Sequence, residues 1–133
     1  METKTNKQFI GDVSMNGFDF DGVVSIGVHP SPTDIIITGR SFDEALYVNE
    51  ILRRKGIHNA VFFQPMTKER RESGTETARR NSGRHKATVI KMLKENEVEL
   101  NIFFEDDEIQ IEEIRKVHPK LKIVHLVHDL VVK

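Results

Sequence analysis

Carboxylates, a threonine and a lysine recur along this chain in an order that suits phosphoryl transfer. Asp19 and Asp21 stand in Phe18-Asp19-Phe20-Asp21-Gly22, Thr38 in Ile37-Thr38-Gly39-Arg40, Lys86 follows, and Asp106 and Asp107 close the series in Phe104-Glu105-Asp106-Asp107. An Asp-x-Asp pair on extended backbone points both side chains the same way, so Asp19 and Asp21 can share a metal or divide the work of nucleophile and proton donor. Gly22 permits the sharp turn that presents backbone to a phosphate. Thr38 offers a hydroxyl at a strand end and Gly39 an unobstructed N–H, both suited to phosphoryl oxygens. Three consecutive acids at 105–107 repel one another and call for a counter-charge. Oxygen ligands with room for water suit Mg²⁺ better than zinc. Each cluster has a plainer reading as an Asp-Gly turn, a helix-entry threonine, an exposed lysine or acids at a helix N-terminus. Those readings explain the clusters singly and leave their order unexplained.

Chemistry of this kind needs a scaffold that brings distant segments to one edge. The strand pattern predicts elements at 16–20, 35–37, 60–63, 100–104 and 121–127, with Val23–Val28 as a short extension or hairpin arm. Ile35-Ile36-Ile37 is a continuous β-branched run, the mark of a strand buried on both faces of a parallel sheet. Ser41-Phe42-Asp43-Glu44 has capping-box spacing and opens a helix whose apolar face takes Phe42, Leu46, Ile51 and Leu52, stopped at Gly56. Further helices are expected over 86–95 and 109–117, the last ended by Pro119. Alternation of strands and helices requires right-handed crossovers, hence an α/β fold with a mainly parallel five-stranded central sheet covered on both faces. Residues 1–14 read as an arm or edge strand, and 15–133 as a single domain. The polar stretch 64–85 reads as a mobile insert with room for a helical turn.

Bulk properties narrow the class. With 133 residues, 38% apolar and 31% charged, the chain holds one modest core. A net charge of −1 argues against a protein coated with cations for duplex binding, so local patches decide. The lack of cysteine removes disulfides, thiolate nucleophiles and cysteine zinc sites. No apolar run reaches the length of a membrane span and no signal peptide is evident, so a cytoplasmic setting is expected. His125 and His128 flank the last apolar run without forming a metal pair, and Phe62, Phe63, Phe103 and Phe104 read as core residues.

The ordered set resembles the haloacid dehalogenase-like phosphohydrolase superfamily, over nearly the whole chain from about Gly17 onward. The resemblance rests on Asp19-Phe20-Asp21-Gly22-Val23, Ile37-Thr38-Gly39-Arg40, Lys86 and the acidic loop 105–107. It implies a Rossmann-like three-layer sandwich, Asp19 as a nucleophile that becomes an aspartyl-phosphate, and Asp21 as the acid that then activates water. It implies further that Thr38 and Lys86 hold the phosphoryl group. Mg²⁺ would be bound by Asp19, the Asp21 backbone carbonyl and Asp106, with Asp107 or Glu105 in support. Lys68 and Lys91 are weaker rivals to Lys86. Gly17 and Asn16 depart from the apolar strand expected before the nucleophile, and the acidic triplet is more compact than the longer Gly-Asp form.

The segment between Asp21 and Thr38 is short and 64–85 is too small for an ordinary cap, so an open site without a large cap is expected. Open sites admit large substrates. Lys68, Arg70, Arg71, Arg79, Arg80, Arg84 and His85 make 64–85 a positive lip, with Gly39, Arg40, Arg79, Arg80 and Arg84 as candidate substrate contacts. This is similar to the capless phosphatase domain of polynucleotide kinase–phosphatases, which implies a nucleic-acid terminal phosphate or a nucleotide as substrate. Two alternatives stay open: hydrolysis of small phosphorylated metabolites, and a non-catalytic protein that sequesters a phosphorylated ligand or a partner.

Overall fold

The computed structural model describes residues 15–128; the expected arm at 1–14 lies outside them. Five strands, β1 (Gly17–Phe18), β2 (Ile35–Ser41), β3 (Val61–Gln64), β4 (Ile102–Glu105) and β5 (Lys122–His125), form one sheet. Their order is β3-β2-β1-β4-β5 and every neighbouring pair is parallel. The helices are α1 (Ala45–Arg54), the single turn α2 (Lys68–Arg71), α3 (Glu76–Glu95) and α4 (Glu108–Val117).

Alternation along β2 sets the layers. Ile36 packs on one face with Val48 and Leu52 of α1, while Ile35 and Ile37 face Val89 and Ile90 of α3 and Ile114 of α4. The result is the expected Rossmann-like α/β sandwich, with only α2 and its flanking turns between β3 and α3 and no large cap. Strand order reverses between β1 and β4, so their carboxyl ends border the crevice where open α/β sheets take ligands. Phe18 and Phe104 stack at 4.5 Å across this junction, aligning the residues that follow each. No helix among the described residues is long and apolar enough to cross a membrane.

Three expectations need correction. The stretch 64–85 is more regular than expected: it holds the single turn α2, and α3 starts at Glu76, well before Lys86. Thr75 caps it by accepting from the Ala78 N–H at 3.0 Å, a Thr-Glu start that the surrounding charge had masked. Val23–Val28 is neither strand nor hairpin. Its first part closes a turn over Phe20–Val24, with Gly22 at φ +78° and Phe20, Val23 and Val24 buried. On α1, Val48 and Leu52 are buried whereas Leu46 faces outward, as does Phe42 in the turn that precedes the helix. Glu44 accepts from the Ser41 N–H at 2.9 Å, as the capping spacing anticipates.

Gly17 proves to be a packing requirement. A Cβ there would lie 2.7 Å from Phe103 Cδ1 and 2.9 Å from Leu100 Cδ1, so only glycine lets β1 seat against them. The expected outcome for Gly17→Ala is a loss of about 1–3 kcal/mol, seen as a lower urea midpoint at unchanged slope. An unchanged midpoint would contradict this packing account.

Candidate functional site

Two strand tips and one helix converge at the switch point. Asp19 follows β1 and its N–H donates to the Phe104 carbonyl at 2.9 Å, which ties it to β4. Glu105 ends β4, and Asp106 and Asp107 lead into α4. Lys86 reaches in from the middle of α3, whose 78, 82, 86 spacing places Ala78, Ser82 and Lys86 on one face. Gly83 lets α3 close on α4, since a Cβ there would meet Glu113 Cβ at 2.8 Å and Gln110 Cα at 2.9 Å.

Lys86 is fully buried, and its Nζ donates to Asp19 Oδ1 at 2.8 Å and to Glu105 Oε1 at 2.6 Å. The Asp19 Oδ1 also accepts from the Phe20 N–H at 2.8 Å. Glu105 Oε2 accepts from the N–H groups of Asp106 and Asp107 at 3.1 and 3.2 Å, which shapes the acidic loop around it. Asp19, Glu105 and Asp106 each bring a carboxylate oxygen within 4.8 Å of the others, a set able to hold a metal ion. Gly22 lies against the Asp106 carboxylate, where a Cβ would overlap it. His128 Nε2 sits 3.1 Å from Asp106 Oδ2.

Charge is unbalanced here. Three carboxyl groups gather around one ammonium. Burial and then repulsion from Glu105 push the Asp19 carboxyl well above its usual range, against the pull of Lys86. Burial likewise raises Glu105, and burial with the Asp19 charge raises Asp106. Lys86 is raised as well: burial favours its neutral form, but Asp19 and Glu105 prevail and hold it charged. A cation beside the three acids would remove the imbalance.

Above the cluster opens a pocket of about 670 Å³. Asp19, Asp21, Gly22, Asp106 and Asp107 form one side, and Gly39, Arg40, Lys68, Arg71, Arg79 and Ser82 are among the residues on the others. Arg40 grips Asp21 through two bonds of 2.9 Å and also donates to Glu44 at 2.8 Å. Arg71 is nearly buried against Glu44 at 3.1 Å and donates to the Gly39 carbonyl at 2.6 Å.

The sequence-derived residues distribute unevenly around this pocket. Asp19 and Asp106 come together, with Glu105 and not Asp107 joining them, and Lys86 reaches Asp19 and Glu105. Asp107 instead caps α4 through the Ile109 N–H at 2.9 Å and binds Arg79 at 2.7 and 2.9 Å. Burial opposes its charge, but Arg79, Gln110 and Ile109 bring the carboxyl down to about 2. The Asp21 carboxylate also stands outside the cluster, held by Arg40. Thr38 is fully buried beneath the pocket wall, its Oγ1 accepting from the Arg40 N–H at 3.0 Å.

Of the cationic lip, Lys68, Arg71 and Arg79 line the pocket, whereas Arg80 and Arg84 turn away to Glu113 on α4, at 2.7 and 3.4 Å. Helical periodicity separates them once α3 is known to begin at Glu76. Arg71 and Ser82 were not singled out as site residues, and only the extended helix would have signalled Ser82. His85, beside Lys86, is held neutral by burial and the Lys86 charge, its imidazole brought down to about 4. No family model, curated protein or solved structure matches the chain.

Removing the ammonium would leave Asp19 and Glu105 buried without a counter-charge, held only by backbone N–H groups. The expected outcome for Lys86→Met is a loss of about 3–5 kcal/mol at pH 7. Because the raised carboxyl groups gain protons as pH falls, the deficit should shrink toward about pH 5. Urea unfolding at the two pH values checks this, and a deficit independent of pH would contradict it.

Proposed function

We propose that the chain is a Mg²⁺-dependent phosphomonoesterase that works through an aspartyl-phosphate on Asp19, with a nucleic-acid terminal phosphate or nucleotide as the leading substrate class. The observation that carries this reading is the buried Asp19–Lys86–Glu105 group with Asp106 beside it, at the switch point and under an open pocket. Structural ion pairs seldom leave three acids around one lysine at the floor of a cleft, whereas a centre for a divalent cation and a phosphoryl group needs that excess.

The donor set suits a hard cation. Asp19 and Asp106 would hold Mg²⁺ with the Asp21 backbone carbonyl, and Glu105, saturated by Lys86 and two backbone N–H groups, would support them. The ion would supply positive charge to neutralise the transferring phosphoryl group. Asp19 attacks phosphorus as the bond to the leaving oxygen breaks, and Asp21 gives that oxygen its proton. Water then attacks the phosphorus of the acyl phosphate, passes its proton to Asp21, and releases Asp19 and inorganic phosphate. Lys86 fixes the attacking carboxylate and offsets its charge.

Arg40 has two jobs in this scheme. It holds Asp21 in the resting protein, and it is the pocket-wall guanidinium best suited to fork onto phosphoryl oxygens and release Asp21 for proton transfer. Thr38 acts through it by anchoring its backbone. The openness of the pocket supports a bulky leaving group.

The expected outcome is Mg²⁺-dependent phosphate release from an aryl phosphate, abolished by chelation and reduced by roughly 10³-fold or more in Asp19→Asn. Equal rates for the two proteins would contradict the enzymatic reading and leave a phospho-ligand-binding protein as the alternative. Turnover of sugar phosphates with no action on 3′-phosphorylated oligonucleotides would favour a metabolite phosphatase.

A further inference from the structure

Among the described residues only two aromatic side chains are more than half exposed, Phe42 at 53% and Tyr47 at 55%. Both belong to the short stretch that follows Arg40, and Leu46 between them is 88% exposed. The other phenylalanines that open or close strands pack into the two cores. The start of α1 therefore displays apolar surface that the fold itself does not use.

Its location says what it serves. The Arg40 guanidinium lies 4.9 Å from the centre of the Tyr47 ring while its nitrogens bind Asp21. Arg40 also lines the pocket, so the Tyr47 ring adjoins the pocket wall through it, and Phe42 lies five residues before Tyr47 in the chain. The backbone of Lys68 is fixed by Asp43 at 3.0 Å, and its amine forms no ion pair among the described residues. Flat rings, a guanidinium stacked on one of them and an uncommitted cation beside an anion-binding cleft form the combination that recognises a base attached to a phosphate.

We infer that Tyr47 and Phe42 form a stacking platform for the nucleobase of the phosphorylated substrate, with Lys68 facing its backbone charge. This deepens the phosphomonoesterase reading and rests on it. The platform selects for a base-bearing leaving group without reading its identity, because every base has a π-face.

Tyr47 is the chain's one tyrosine and there is no tryptophan, so intrinsic emission reports on this surface alone. The test uses Asp19→Asn protein with Mg²⁺, titrated with thymidine 3′-monophosphate and separately with glycerol 3-phosphate, by fluorescence corrected for absorbance and by calorimetry. The nucleotide is expected to quench Tyr47 and to bind about tenfold tighter than glycerol 3-phosphate, and Phe42→Ala to weaken it by about tenfold. Equal affinities with unchanged emission would overturn the platform and leave the phosphate site standing. Failure of both ligands to bind would overturn the site and the platform together. Emission that changes with protein concentration alone, with doubling of mass in solution, would assign the patch to a second copy of the chain and overturn the inference.

Discussion

The buried ammonium of Lys86, fixed between Asp19 and Glu105, is the interaction on which the rest of the molecule depends. A lysine taken out of water is tolerated only with compensating charge close by, and here the two partners come from strands remote in sequence. The strand order sets β1 beside β4, so Asp19 and Glu105 end up together. Lys86 then has to arrive from α3, on the face of the sheet opposite α1. Gly17 and Gly83 permit the close approaches that bring these parts into reach. Folding and site assembly are in this sense one event.

The same arrangement creates its own problem. Lys86 balances one carboxylate, yet Glu105 draws the loop into place through backbone N–H groups and so holds Asp106 near Asp19. Burial raises all three acids, and repulsion from a neighbouring carboxylate adds to it at Asp19 and Asp106, a cost that a bound cation would offset. Around this centre the remaining charges are sorted. Asp107 and Arg79 neutralise one another at the rim, and Arg80 and Arg84 join α3 to α4. Arg40 remains close to Asp21, beside the cleft.

How much of this could be read in the chain depended on how local its cause was. The β-branched run Ile35-Ile36-Ile37 and the apolar runs before Asp19 and Glu105 announced a buried parallel sheet, and the structure has it. The residues at the strand tips followed, because a strand's end fixes where its last polar side chain lies. The first turns of α3 are illegible in the chain because Arg79, Arg80 and Arg84 look like a solvated charge run until their partners at the start of α4 and along it are known. Which of Glu105 and Asp107 would join Asp19 was undecidable from the triplet, since it depends on the pleat at the end of β4 and on the reach of Lys86 and Arg79. The outward face of Phe42 and Leu46 likewise follows from where α1 sits on the sheet, with Val48 and Leu52 inward. Periodicity alone does not settle that.

The most direct measurement is of the divalent cation itself. Electron paramagnetic resonance of Mn²⁺ titrated into the protein counts bound ions without requiring turnover. The account expects a single saturable ion per chain, displaced by Mg²⁺ and weakened by at least about tenfold in Asp106→Asn. A protein with no saturable ion, or one whose affinity ignores the loss of the Asp106 charge, would contradict it.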